Sequence, residues 1–352
     1  MIAFIRETPA GRIVFGPDRL LAISDEASRL RAGRVLLIGT GSAAAAAGRA
    51  AALLGARVVG RWPEVRRHVS SSLAASASAE CSRLGADLVV SIGGGAATGL
   101  AKAVALRLGL PILAVPTTYA GSEVTTMWGI TDGSQKTTGS SEQVLPKTVI
   151  YDPLLTLGMP PELTAASGMN AMAHGVEALY ASGASPVSTL LALDAIRQLT
   201  AALPRAVAVP DDLDARSEAL YAAYLAGSAM SEAGTALHHK ACHVLGGLYD
   251  LPHAQLHAVM LPQTVALIED GIPAVISPAA ALLGDGPAAG SLFDLAVKLG
   301  APTSLSQLGI SLQQASGAAP QILAEAAQEP CPFASSDIAS LLDRAHAGQR
   351  PA

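Results

Sequence analysis

Residues 87–125, DLVVSIGGGAATGLAKAVALRLGLPILAVPTTYAGSEVT, carry the pattern that decides the fold. An apolar run ends in three glycines, an Ala-rich segment follows, and a second apolar run ends in threonines. An apolar run that stops at glycine and enters a helix is typical of a buried strand in a parallel sheet. The stretch therefore predicts a strand, a crossover helix and a neighbouring parallel strand, with both strands ending at one edge of the sheet.

The sequence before this stretch continues the alternation of strands and helices. The segments VLLIG and ARVVG read as strands, and short strands are expected at residues 2–5 and 12–15, as an edge hairpin. The predicted helices are residues 42–54, 72–84 and 97–108.

The character of the chain changes after Tyr151, where long Ala/Leu/Met segments without β-branched runs begin. We therefore predict an α/β N-terminal domain over residues 1–155, with a parallel sheet of the Rossmann-like, dinucleotide-binding type. Residues 156–352 are predicted to form an all-α C-terminal domain that carries the catalytic groups.

The composition limits the classes of function. Of 352 residues, 50% are apolar, 14% charged and 3% aromatic, and the net charge is −5. Basic clusters interleaved with aromatics are missing, so we expect no nucleic-acid partner. No apolar stretch reaches the roughly 20 residues of a bilayer span, and we expect a cytoplasmic protein without membrane contact. The widely spaced Cys81, Cys242 and Cys331 fit a reducing compartment.

Two glycine loops are candidates for binding a dinucleotide phosphate. GTGSAA, residues 39–44, is a variant of the GxGxxA fingerprint, but Arg57 and Arg61 stand near the next strand where an acidic residue is usual. GGGAATGLAK, residues 93–102, lets the backbone approach a pyrophosphate at a helix N-terminus. Either loop alone is equally compatible with a tight turn that binds nothing. The hydroxyl groups of the adjacent PTTYAGSEVT, at the same sheet edge, favour the second loop.

Histidines are concentrated in the C-terminal half, where six of eight lie between residues 174 and 257. In SGMNAMAHGVEALY, Asn170, His174 and Glu177 share one helical face. A lone histidine is more often structural, but histidines grouped one helical turn apart indicate a metal or catalytic site.

The segment LHHKACHVLGGLYDLPHAQLH holds the other histidines. His239 and His243 are one turn apart, and His253 follows a proline at the expected start of the next helix. His238 falls off the shared face, and His257 is expected either to lie behind the site or to be exposed.

The GGG loop, PTT, GSE, YDP and the spaced histidines resemble, in this order and over roughly residues 12–265, the iron-containing (group III) alcohol dehydrogenases. That family shares its fold with dehydroquinate synthase and glycerol dehydrogenase. PTTYAGSEVT, WGITDGSQKTTG, VLPKTVIYDP and LHHKACHVLGG are most similar to its maleylacetate reductase branch. The resemblance implies NADH-dependent reduction of the C=C bond of 2-maleylacetate, a small dicarboxylate, to 3-oxoadipate in the breakdown of resorcinol, hydroxyquinol and chlorinated aromatics. It also implies a homodimer.

The resemblance further implies a degenerate metal site. The Asp, His, His, His ligands of metal-dependent relatives correspond here to Asn170, His174, His239 and His253, while His243 matches an active-site histidine that is not a ligand. Because Asn170 lacks the negative charge, a divalent cation among neutral donors is left uncompensated. We therefore expect no bound metal.

The site residues implied by the resemblance divide into three sets. His243 is expected to be the acid or oxyanion donor with His253 as its partner, and Lys240 either meets a substrate carboxylate or is an exposed helix lysine. The substrate is expected to contact Tyr119, Asn170, His174 and His239. The cofactor is expected to contact Thr40, Gly93, Gly94, Gly95, Thr117, Thr118, Ser122 and Lys136.

The sequence leaves alternatives open for the cofactor and for the class of reaction. Thr40 stands near the position of a ribose-binding Asp in the family, so NADPH is expected to be accepted beside NADH. The alternatives to the reductase are a metal-dependent alcohol dehydrogenase or aldehyde reductase in which Asn170 is still a ligand, a dehydroquinate-synthase-like lyase, and a nucleotide sensor without catalysis.

Overall fold

The computed structural model describes residues 11–39, 41–132, 135–326 and 333–352, without the side chains of residues 135 and 136. The chain divides into two compact units, one ending at Met159 and the other beginning at Pro160. The first unit contains the parallel sheet and the second is helical, so the predicted fold class is confirmed. The strand expected at residues 2–5 lies outside the described residues.

The α/β unit alternates strands with helices. Its strands are β1 (Arg12–Phe15), β2 (Val35–Gly39), β3 (Val58–Trp62), β4 (Leu88–Gly93), β5 (Ile112–Pro116), β6 (Met127–Asp132), β7 (Gln135–Ser140) and β8 (Thr148–Tyr151). Its helices are α1 (Ile23–Arg29), α2 (Ala44–Leu54), α3 (Ser71–Arg83) and α4 (Gly95–Leu108).

Six of these strands form one parallel sheet in the order β1-β8-β5-β4-β2-β3. Gly93 at the end of β4 is in register with Pro116 at the end of β5. The glycine loop after β4 and the threonine loop after β5 therefore leave the sheet side by side, as the sequence predicts.

The interior strands β2, β4 and β5 are covered on both faces and are therefore almost continuously apolar. Val35 and Leu37 of β2 pack with α1 and α2, whereas Leu36 and Ile38 of the same strand pack with α3 and α4. This alternation follows from the two-residue period of a strand and explains the continuous apolar runs.

Two features of this unit are not part of the sequence expectation. β1 pairs in parallel with β8, in the register Arg12↔Thr148, so its described neighbour is a strand from the far end of the unit. β6 and β7 form a separate antiparallel pair that the sequence does not predict.

The second unit consists of helices over its described residues. They are α5 (Pro161–Tyr180), α6 (Pro186–Ala208), α7 (Leu213–Ala233), α8 (Leu237–Tyr249), α9 (His253–Gly271), α10 (Pro273–Leu283), α11 (Ala288–Leu299), α12 (Leu312–Gly317), α13 (Ala319–Glu325) and α14 (Ser335–Ala347).

α5 is the central helix of this unit and is buried continuously from Thr164 to Tyr180. It packs against α6, α7 and α9. Small residues allow this close approach: a Cβ on Gly168 would lie 2.3 Å from Cδ2 of Leu203, so a larger residue there would require the Leu203 side chain to shift. Any polar side chain on α5 must therefore find partners inside the unit.

Cys81 and Cys242 are both buried thiols. Burial raises the pKa of the Cys81 thiol to about 11. Among the described residues, no helix has the length and apolar character that a membrane crossing requires.

Candidate functional site

The loop after β4 is built for close approach of another group to the backbone. Gly93 ends β4 with φ 147°, and Gly94 is the N-cap of α4 without a side-chain cap. A Cβ on Gly94 would lie 3.0 Å from Thr118 Oγ1. The backbone N–H of Thr117 donates to the Gly93 carbonyl at 3.0 Å. The uncapped N–H groups at the start of α4 are suited to a phosphate.

The first glycine loop differs from this arrangement. A 3-10 turn, Gly41–Ala43, follows β2 and leads into α2. A Cβ on Gly41 would meet nothing within 4 Å, so the surrounding structure does not require glycine there. Thr40, a predicted cofactor contact in this loop, lies outside the described residues.

The remaining predicted residues of the α/β unit lie after β5 and on β7. Thr117, Thr118 and Ser122 are half-buried, and Ser122 opens the 3-10 turn Ser122–Val124. Tyr119 is fully buried, so the predicted substrate contact falls on a core side chain. The side chain of Lys136, on β7, lies outside the described residues.

A buried lysine, whose role no sequence motif indicates, donates hydrogen bonds to the segment that follows β5. Lys102 of α4 donates to the Thr125 carbonyl at 2.7 Å, to Thr125 Oγ1 at 2.9 Å and to the Met127 carbonyl at 2.7 Å. Burial lowers the pKa of Lys102 to about 7, although the nearby Glu123 opposes the shift. Burial also raises the pKa of Glu123, against the hydrogen bond from Tyr151.

Three helices of the second unit bring the histidines together. α5 carries Asn170, His174 and Glu177, α8 carries His238, His239, Lys240 and His243, and α9 carries His253 and His257. The imidazole rings form a contiguous cluster. Ring centroids are 5.2 Å apart for His174 and His239, 5.9 Å for His239 and His243, and 4.2 Å for His253 and His257.

The clustered residues differ in exposure. His253 is exposed at the first turn of α9, where the sequence places a helix start, and His243 and Lys240 are half-buried. Asn170, His174 and His239 are buried. His257, which the sequence leaves either behind the site or exposed, is fully buried.

Glu177 is the anionic group of the cluster. Its Oε1 accepts hydrogen bonds from the backbone N–H groups of Ala236 at 2.9 Å and of His239 at 3.0 Å. Its Oε2 accepts from Nδ1 of His239. Burial alone would raise the pKa of Glu177, but His239 and His238 outweigh burial and lower the pKa. The ionised carboxylate therefore fixes the Nδ1–H of His239, and Nε2 of that ring is left for other contacts.

A second hydrogen-bonded chain runs behind these rings. His238 Nδ1 lies 3.0 Å from Thr264 Oγ1, and His238 Nε2 lies 2.9 Å from Nδ1 of His257. Burial lowers the pKa of His238 to about 3 and, together with the neighbouring histidines, lowers the pKa values of His174 and His257 well below the usual value. These three imidazoles are therefore neutral.

The cluster offers a divalent metal ion imidazole and amide donors but no unengaged carboxylate. One nitrogen of each of His238, His239 and His257 lies within 4.8 Å of the others, but both nitrogens of His238 are already engaged in hydrogen bonds. Asn170 is uncharged, and Glu177 is held by three N–H groups. No unengaged carboxylate among these residues is left to compensate a dication.

Two family descriptions match the chain, one on each unit. "Iron-containing alcohol dehydrogenase" matches residues 10–153, and "Fe-containing alcohol dehydrogenase family, C-terminal" matches residues 164–346. The chain therefore belongs to the iron-containing alcohol dehydrogenase family. It is an oxidoreductase with the dehydroquinate-synthase-like fold of that family, as its sequence motifs indicate.

Individual relatives narrow the comparison. Maleylacetate reductase of Burkholderia cepacia is 45% identical over 351 residues, which cover 100% of both chains. The structure of maleylacetate reductase from Agrobacterium tumefaciens has a TM-score of 0.94 at 42% identity, again covering 100% of both chains. A putative alcohol dehydrogenase from Ralstonia eutropha JMP134 has a TM-score of 0.97 at 43% identity, with 100% of both chains covered.

Proposed function

We propose that this oxidoreductase catalyses the NADH-dependent reduction of the C=C bond of 2-maleylacetate to 3-oxoadipate. The observation that carries the proposal is the 45% identity to a maleylacetate reductase over the full length of both chains. Such a match spans both units of the chain. It therefore supports a shared reaction more strongly than a shared fold does.

The chemistry defines what the protein must provide. The alkene of 2-maleylacetate is conjugated to a ketone, so hydride addition to the β-carbon moves an electron pair onto the ketone oxygen as an enolate. A proton then adds to the α-carbon and restores the ketone. A bound nicotinamide supplies the hydride. The protein has to stabilise the oxyanion and deliver the proton.

His243 and His253 are the groups suited to these two tasks. They are the least buried imidazoles of the cluster, and their ring centroids lie 6.4 Å apart in a stacked arrangement. An imidazole can donate a proton or a hydrogen bond, and one preorganised donor to an oxyanion contributes about 3 kcal/mol. Lys240 supplies a positive charge for a carboxylate, and Asn170, His174 and His239 supply hydrogen bonds.

The cofactor is assigned to the α/β unit. Gly94 and Gly95 provide the backbone N–H groups of the α4 N-terminus for the pyrophosphate, and Thr117, Thr118 and Ser122 provide hydroxyls at the same sheet edge. The close contact of Gly94 with Thr118 supports this assignment, because a side chain there would displace the loop.

We also propose that the reaction proceeds without a metal ion. The support is the donor set: Asn170 is uncharged, Glu177 is committed to His239, and His238 has no nitrogen to offer. Imidazole and ammonium donors then take over the stabilisation of the oxyanion.

A spectrophotometric assay of NADH oxidation tests both proposals. We expect turnover with 2-maleylacetate, much less with simple aldehydes, and the same rate after dialysis against a chelator. Preference for an aldehyde would contradict the assigned substrate. Loss of activity to the chelator and recovery with zinc or iron would contradict the metal-free reaction.

A further inference from the structure

The chain of hydrogen bonds from Thr264 through His238 to His257 takes its direction from the hydroxyl proton of Thr264. Thr264 Oγ1 is placed to donate its one proton to the carbonyls of Met260 at 3.0 Å and Leu261 at 3.1 Å. A carbonyl oxygen can only accept, so a hydroxyl that donates to either carbonyl has no proton left for His238. In that arrangement Thr264 is an acceptor towards His238, and Nδ1 of His238 carries the hydrogen.

This direction passes to the next ring. A neutral imidazole has one N–H and one lone pair, so His238 with its hydrogen on Nδ1 has its lone pair on Nε2. That lone pair accepts from Nδ1 of His257 at 2.9 Å. His257 in turn has its hydrogen on Nδ1 and its lone pair on Nε2. The full burial of both rings favours the neutral forms.

His257 is also the ring on which the cluster packs. Its centroid lies 4.2 Å from that of His253, 4.7 Å from that of His239 and 6.4 Å from that of His174. Its Nε2 is buried and makes no hydrogen bond to the residues that the structure describes. The fixed lone pair of His257 thus lies within the histidine cluster and carries a partial negative charge.

We propose that Thr264, His238 and His257 are positioning residues that keep a hydrogen-bond acceptor, and not a donor, on Nε2 of His257, the ring that packs against His239 and His253. A lone pair at this place stabilises N–H groups and developing positive charge on the adjacent rings, whereas an N–H at the same place would oppose them. The relay ends at backbone carbonyls, so it conducts no proton and acts only through its polarity. This role rests on the proposed function of the site.

The Thr264→Val variant tests the relay without touching the cluster. Valine has nearly the shape of threonine but accepts no hydrogen bond, so His238 should move its hydrogen to Nε2 and donate to His257. His257 must then accept at Nδ1 and carry its hydrogen on Nε2. Thr264→Ser keeps the hydroxyl and is the matched control.

Two measurements read the outcome. In ¹⁵N-histidine-labelled protein, long-range ¹H–¹⁵N correlation spectra report which nitrogen is protonated, and His257→Gln assigns the His257 signals. We expect hydrogen on Nδ1 of His257 in the unaltered protein and in Thr264→Ser, and on Nε2 in Thr264→Val. With 2-maleylacetate and NADH, we expect kcat of Thr264→Val to fall by about 10-fold, the size typical of outer partners of site histidines, with both KM values little changed.

Two results overturn the relay. One is hydrogen on Nε2 of His257 in the unaltered protein. This measurement does not depend on whether a variant folds. The other is an unchanged kcat in Thr264→Val despite the reversed spectrum. Absence of 2-maleylacetate turnover by the unaltered protein overturns the proposed function and the positioning role that rests on it, whereas the tautomer of His257 is read without substrate and is decided separately.

Discussion

His243 and His253 differ from the other clustered histidines in what they can reach. His253 is exposed and His243 half-buried, whereas His174, His238 and His257 are buried and neutral. A buried neutral imidazole can orient its neighbours, but a group that delivers a proton to a substrate carbon has to meet that carbon. The exposure of the rings thus distinguishes the proton donors of the cluster from the histidines that orient them.

Replacement of His243 by alanine tests the donor. We expect kcat with 2-maleylacetate to fall by about 10²-fold or more, because a positioned general acid contributes roughly 10²–10⁴-fold. Steady-state NADH oxidation gives the value. His346→Ala, on α14, is the matched control and should keep the unaltered rate. If His243→Ala kept most of its turnover, the acid would have to be another group.

The sequence predicts some residues of this cluster and misses others for a physical reason. The four-residue spacing of Asn170 and His174 indicates one face, and α5 has that face. Spacing does not indicate what lies opposite the face. Glu177 of α5 is hydrogen-bonded to His239 on α8, and His238 of α8 is hydrogen-bonded to His257 on α9. These hydrogen bonds join different helices. The spacing of residues along one helix therefore cannot predict them.

At the scale of the elements, the two glycine loops differ in how much space they leave for a side chain. A Cβ on Gly94 would press against Thr118 at 3.0 Å, but a Cβ on Gly41 would meet nothing within 4 Å. Gly94→Ala should therefore displace the loop after β5, and Gly41→Ala should leave its surroundings intact. The contrast distinguishes the two loops as cofactor sites.

We expect Gly94→Ala to raise the KM for NADH by about 5-fold or more, since overpacking of this kind costs about 1 kcal/mol or more. Gly41→Ala, the matched control, should keep the KM within about twofold. Initial rates at varied NADH concentration measure both. A larger effect at Gly41 would assign the pyrophosphate to the first loop.

The strands that the sequence identifies are the apolar interior ones. β2, β4 and β5 are buried except at Gly39, and each reads as an apolar run that only Ser91 of β4 interrupts. β6 is half-buried, and the β6–β7 hairpin mixes polar and apolar residues, so its pattern is weak. β8 is buried but only four residues long, too short for a periodic signal.

At the scale of the whole molecule, buried neutral histidines make stability depend on pH. The folded-state pKa values of His174, His238 and His257 lie below their usual value because the rings are buried. Once the chain unfolds, each ring binds a proton near pH 6.5. Below that pH the unfolded state therefore binds more protons than the folded state. The contribution of the three neutral histidines to the free energy of unfolding is complete above about pH 6.5 and is lost on acidification.

Urea unfolding at several pH values tests this dependence. We expect the free energy of unfolding to fall below pH 6.5 by up to about 1.4 kcal/mol per pH unit for each of these histidines. His238→Gln should reduce the slope by about one histidine's share. The same slope in His238→Gln and the unaltered protein would mean that His238 is not buried in its neutral form.

The pairing of β1 with β8 has a consequence for synthesis on the ribosome. Arg12 of β1 is in register with Thr148 of β8, which follows 136 positions later in the chain. At roughly 5–20 residues per second, β1 is made about 7–27 seconds before its described neighbour exists. Among the described strands, β1 stands at the sheet edge, outside β8, so the strands on the other side of β8 do not need it in order to pair. The first of the described strands to be translated is thus among the last to be placed, and pairing over so long a separation predicts a slow final step in folding.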